Sequence, residues 1–129
     1  MELMNEEKKH EFLGKLLPDG QMYLATAWAC IMSGGPVPNQ YCYMGMTEDT
    51  LCFACVNNVN PGILTGGFNI PIREITKSKV RKGLFGRTLL YLTVKQGDIK
   101  ISLARNVMGS KLDKNTQIAG VEYIAAHFA

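Results

Sequence analysis

The spacing of apolar and polar residues divides the chain into a short helix, seven strands and a second helix. Within residues 1–18 apolar residues recur at helical spacing and stop at a Pro-Asp-Gly turn, which predicts an N-terminal helix. Residues 21–105 hold short apolar runs separated by turn residues, which predicts seven strands. In residues 112–128 apolar residues return at intervals of three and four, which predicts a helix capped by Asp113 or Asn115.

Alternation is clearest in the last predicted strand, residues 98–105. It places Ile99, Ile101 and Leu103 on one face of the strand. Lys100 and Ser102 fall on the other face, so we expect them to point outward into solvent.

Short turns between the strands predict a largely antiparallel sheet. The clearest of them is a polar turn at residues 48–49 between two apolar runs, which is typical of a β-hairpin. Seven strands with uncovered edges would aggregate, so the pattern favours a closed or nearly closed barrel whose open end is capped by the last helix. The fold class is therefore mainly β, and residues 1–129 are expected to form one domain.

Composition supports this interpretation. A chain of 129 residues that is 47% hydrophobic can bury one core without disulfides, so its four cysteines are not needed as crosslinks. No charged residue lies in 20–47 or in 51–72, yet turn residues interrupt both stretches and leave apolar runs too short for a membrane span. The first nine residues lack the basic and apolar regions of a signal peptide, so a cytoplasmic location is expected.

The net charge of +3 conceals a strongly basic segment. Residues 73–105 hold nine Lys or Arg against only two acidic residues. Five of these cations form the candidate anion-binding set, and two apolar residues at the intervening turn are candidates for contact with a membrane or a partner: Lys77, Lys79, Arg81, Lys82 and Arg87, with Leu84 and Phe85.

Alternation along the strand brings Lys77, Lys79 and Arg81 to one face. One interpretation is a surface that meets anionic lipid, with the apolar turn seated among the headgroups. The alternative is a solvated strand face with the turn tucked into the protein. The absence of aromatic residues between the cations argues against nucleic acid as a partner.

Other combinations of reactive residues do not support a chemical site. Cys52 and Cys55 form a Cys-x-x-Cys, but residues three apart on a strand point to opposite faces, so no zinc site is expected. His10 and His127 lie in different terminal helices, and no nucleophile or metalloprotease motif is present. We expect no enzyme activity, metal or cofactor.

Three motifs and the closing helix together resemble a known family. Residues 47–53 resemble the T-x-x-x-L-x-F hairpin of GRAM and bacterial pleckstrin-homology-like domains, and residues 70–75 resemble their I-P-[LIY]-x-x-I strand. Residues 82–87 resemble the K-G-L-[FL]-G turn of the bacterial group sometimes called YokE-like. From residue 16 to 128, the resemblance implies a seven-stranded pleckstrin-homology-like barrel with a C-terminal capping helix.

The resemblance implies a binding module more than a specific ligand, because this superfold hosts lipid, peptide and protein binders. Phosphoinositide binders of the superfold commonly carry basic residues between the first two strands. Here the connection Ser33–Gln40 has no Lys or Arg, so phosphoinositide specificity is not carried over.

We therefore expect a non-catalytic module that binds another protein or a second copy of itself through an exposed strand edge or groove. The alternative is peripheral binding to an anionic membrane surface through the basic hairpin 77–87.

Overall fold

The computed structural model describes residues 3–32 and 39–129. The connection Ser33–Gln40 has no Lys or Arg, which argues against phosphoinositide specificity. Most of it lies outside the described residues. Two helices and seven strands follow one another as α1 (Glu6–Gly14), β1 (Ala25–Met32), β2 (Gln40–Met46), β3 (Thr50–Val56), β4 (Leu64–Pro71), β5 (Lys77–Lys82), β6 (Arg87–Val94), β7 (Gly97–Ala104) and α2 (Lys114–Phe128).

The strands form one antiparallel sheet in the order β4-β3-β2-β1-β7-β6-β5. This confirms the predicted fold class, a mainly β chain of seven antiparallel strands with a C-terminal helix and a short N-terminal helix. Backbone pairing ends at β4 and β5, which are joined by a 3₁₀ turn at Ile72–Glu74. The hydrogen-bonded sheet therefore has two edge strands.

The inner face of the sheet carries the main core. The buried stripe of α2, formed by Val121, Ile124 and Phe128, packs there against apolar side chains of the strands. Met44 and Phe53 in the adjacent strands are fully buried in the same cluster. The last helix thus covers the inner face, as the apolar period of its sequence predicted.

A second, smaller core lies on the outer face, beneath α1. Phe12 and Leu13 of this helix pack with Trp28 and Tyr43 of the sheet. Because the centre of the sheet is covered on both faces, β2 and β3 are nearly continuous buried runs without a charged side chain.

The prediction that Ser102 points into solvent is corrected by the structure. Ser102 does point away from the inner core, but it is only 4% exposed. Alternation along a strand separates its two faces, but it does not show how deeply each face is buried. Ser102 lies in a concave part of the outer face, where surrounding side chains shield it.

The side chain of Gln117 joins two strands where they separate. The ladder between β1 and β7 runs from the Ala29–Leu103 pair to the Met32–Lys100 pair. One step beyond it, the Trp28 N–H donates to Gln117 Oε1 at 2.8 Å, and Gln117 Nε2 donates to Trp28 O at 3.1 Å and Ala104 O at 2.8 Å. The amide thus takes the place of direct backbone hydrogen bonds between Trp28 and Ala104, the next pair of the ladder.

A glycine lets α2 approach this closely. A Cβ atom at Gly120 would collide with the carbonyl oxygen of Thr26 in β1. The helix begins at the predicted cap, where the Asp113 carboxylate accepts from the Thr116 N–H at 2.8 Å. The Asp113 N–H in turn donates to Glu6 Oε2 at 3.0 Å, which connects the start of α2 to α1.

Replacing Gln117 by Leu should destabilise the protein by at least about 3 kcal/mol, because three buried backbone groups lose their partners. The measurement is urea unfolding, with a lower midpoint at an unchanged slope. Asn115→Leu is the matched control, since Asn115 is an exposed amide on the same helix. Equal midpoints for the two variants would contradict the bridging role.

Candidate functional site

The structure places three of the predicted cations on the outer face of β5. Lys77, Lys79 and Arg81 are exposed and alternate along the strand. Val80 between them packs against the inner core, which fixes the direction of its neighbours. Lys82 is also exposed, but its position in the alternation places it on the opposite face at the end of the strand.

A fourth cation joins this row from β7. Lys79 pairs with Tyr91, which pairs with Lys100, and Lys100 Nζ lies 5.6 Å from the Tyr91 ring centre. Lys100 was absent from the predicted set, although its outward position in β7 was predicted. We define the basic row as Lys77, Lys79, Arg81 and Lys100. In the described part of the chain, no carboxylate lies within 4.0 Å of any of the four.

The turn after β5 projects outward. Leu84 is 79% exposed and Phe85 is 97% exposed, which excludes a turn tucked into the protein. Phe85 and Gly86 both adopt the left-handed conformation, with φ of 59° and 74°. Two such residues in succession reverse the chain sharply, and for phenylalanine this conformation is unfavourable in the absence of other contacts.

Arg87 lies on the same outer face as Arg81, but farther toward the end of the sheet. It begins β6 opposite Ala104, at the end of the sheet where Gln117 joins the strands. Together with Phe85 it lines a cleft of about 590 Å³ on the outer face. The sequence predicted Arg87 as part of one set with Lys77, Lys79, Arg81 and Lys82. Its place at the cleft depends on the register between β6 and β7, which the sequence does not contain.

The floor of the cleft is largely aromatic and apolar. The rings of Trp28 and Tyr41 stack with centres 5.7 Å apart and planes 8° from parallel. Cys30 and Ser102, which face each other across β1 and β7, complete the floor. One crosswise row of outward-pointing residues connects this floor with the basic row: Tyr41, Cys30, Ser102, Leu89 and Arg81.

The cysteines behave as the strand geometry predicts. Cys52 lies in the outer core and Cys55 packs against the inner core, so the two thiols point to opposite faces. All four thiols are free, and burial raises the pKa of each. Across residues 3–32 and 39–129, no group of three His, Cys, Asp or Glu residues is arranged to hold a metal ion.

The two edge strands differ in chemistry. The strand β4 is eight residues long, carries no charge and has five successive exposed positions. Its Phe68 is 39% exposed while stacking on buried Phe53 with ring centres 4.8 Å apart. The strand β5 at the other edge has four Lys or Arg among six residues.

Two solved structures share this fold at low sequence identity. The C-terminal domain of an unknown protein from Leishmania infantum is 16% identical, with a TM-score of 0.52 over 75% of this chain and 81% of that chain. The hSac2 domain from human phosphoinositide phosphatase Sac2 is 15% identical, with a TM-score of 0.54 over 92% of this chain and 74% of that chain. These similarities concern the fold alone.

No protein-family model and no curated protein matches the sequence. Neither helix in the described ranges is long and apolar enough to span a membrane.

Cys30 provides a chemical test of the cleft. Burial raises the pKa of its thiol, and the Arg87 guanidinium opposes part of that rise by favouring the thiolate. In Arg87→Gln, the pH profile of Cys30 alkylation by iodoacetamide should therefore move to higher pH, as followed by peptide mass spectrometry. Lys79→Gln is the control and should leave the profile unchanged. An unshifted profile in Arg87→Gln would show that the guanidinium does not act on this thiol.

Proposed function

We propose that this chain is a non-catalytic assembly module of the bacterial pleckstrin-homology-like group and that it self-associates by pairing the β4 edges of two copies. The observation that carries the proposal is the exposed, uncharged β4 edge. An edge strand presents unpaired backbone N–H and C=O groups, and a second strand satisfies them by extending the sheet.

Phe68 adds apolar contact along this edge. The side chain of Phe68 is partly exposed, and the aliphatic side chain of Ile63, just before the strand, is 50% exposed. Both lie beside backbone that has no strand partner among the described residues. Pairing two copies about a twofold axis would bring each Phe68 to the new interface and remove apolar surface from water.

Charge favours β4 over β5 for contact between identical chains. Two β5 edges would bring Lys77, Lys79 and Arg81 of each copy together, and like charges on neighbouring strands are destabilising. Lysines on an edge strand also oppose edge-to-edge pairing. The β4 edge has no such protection, so association through it should be largely independent of salt.

The test introduces one lysine on the β4 edge of each copy, where the two copies are proposed to meet. Gly66→Lys should convert a concentration-dependent dimer into a monomer, measured by light scattering coupled to size-exclusion chromatography. A Cβ at Gly66 meets no atom within 4 Å, so the fold accepts the side chain. Gly14→Lys is the matched control, because Gly14 is equally open but lies in α1. A strictly monomeric wild type, or a dimer unaffected by Gly66→Lys, would contradict the proposal.

A second candidate function is binding to an anionic membrane surface. It is supported by the exposure of Leu84 and Phe85 beside cations that have no carboxylate within 4.0 Å in the described part of the chain. Each Lys or Arg near an anionic leaflet contributes about 1 kcal/mol, and the apolar turn can enter the headgroup layer.

Vesicle sedimentation tests this candidate. The triple variant Lys79→Glu, Arg81→Glu, Lys82→Glu should bind phosphatidylserine vesicles at least about tenfold more weakly than wild type. Wild-type binding should also fall steeply as salt shortens the Debye length to about 10 Å at 0.1 M. The control variant Lys95→Glu, Lys111→Glu, Lys114→Glu changes the charge equally outside the basic hairpin. Equal binding by the two triple variants would exclude the basic hairpin as the membrane contact.

A further inference from the structure

The outer-face cleft has the composition of a ligand site. Its volume of about 590 Å³ lies within the roughly 300–1,000 Å³ that is typical of small-molecule pockets. Its floor is formed by the stacked rings of Trp28 and Tyr41, and exposed Phe85 and Met108 stand at its sides. Such a surface favours an apolar ligand body.

Arg87 supplies the charge in this cleft. Among the described residues that line it, Arg87 is the one charged side chain. No carboxylate in the described ranges lies within 4.0 Å of its guanidinium. The guanidinium therefore retains its donors for a carboxylate or phosphate, and it would repel a cationic ligand.

Ser102, on the floor of the cleft, also favours a ligand with a polar group. The residue is 4% exposed and lines the cleft. Within residues 3–32 and 39–129 its hydroxyl makes no hydrogen bond and is not among the fully buried unpaired atoms, so it is open to the cleft. A hydroxyl in this position can donate a hydrogen bond to a polar ligand atom.

We propose that the cleft binds a small amphipathic anion, in which one apolar chain or ring carries a single carboxylate or phosphate. The apolar body lies on the Trp28–Tyr41 floor, and the anionic group meets Arg87 with Ser102 as an additional donor. This site is separate from the β4 edge and does not depend on the oligomeric state.

Trp28 reports on this site directly. It is the only tryptophan of the chain and forms part of the floor. Titration with laurate, kept below the concentration at which it forms micelles, should change the Trp28 fluorescence saturably. Dodecanol has the same chain without the charge and should bind more weakly, whereas inorganic phosphate should produce no change.

Arg87→Gln should weaken laurate binding about tenfold or more, because it removes a charge-assisted hydrogen bond, and should leave dodecanol binding unchanged. Arg105→Gln is the matched control, since Arg105 pairs with Glu122 and is not among the cleft residues. Circular dichroism verifies that both variants are folded.

Three outcomes would overturn the proposal. The first is an absence of saturable change with laurate in the folded wild type. The second is equal affinity for laurate and dodecanol together with no effect of Arg87→Gln. The third is a fluorescence change with phosphatidylserine vesicles but not with monomeric laurate. That result would show that this surface binds a membrane and not a small ligand.

Discussion

The packing of α2 on β1 is the contact on which the rest of the structure depends. Gly120 allows the helix backbone to reach the Thr26 carbonyl, and the Gln117 amide then binds the backbone of β1 and β7 where their ladder ends. Because β1 lies at the centre of the strand order, this contact holds the β2–β4 half of the sheet against the β5–β7 half. A polar side chain in a buried seam is favourable here since each of its donors and acceptors is used.

Coverage of the sheet determines where binding surfaces remain. The inner face is covered by α2 and the outer face only partly by α1. The uncovered part of the outer face extends from the cleft to the basic row, while the β4 edge is free because backbone pairing ends there. The candidate surfaces therefore differ in chemistry: one edge is uncharged, one strand face is basic, and one cleft is apolar with a single cation.

Local patterns explain why much of this could be predicted. Alternation placed Lys77, Lys79 and Arg81 together and separated the thiols of the Cys-x-x-Cys, because side-chain direction in a strand depends only on position along that strand. The burial of Ser102 could not be predicted in this way. It depends on the concave shape of the outer face at the cleft, which residues distant in sequence form together.

By itself, the sequence determined the order of the elements, the antiparallel arrangement, two candidate caps for the last helix and the basic character of β5. These follow from interactions between residues close in the chain and from the period of apolar positions. Only the tertiary structure decided that Lys100 lies beside Lys79 and Tyr91 in the basic row and that Arg87 lines the cleft. Those placements depend on the register between strands and on which layer covers each face, and both arise from contacts between residues far apart in sequence.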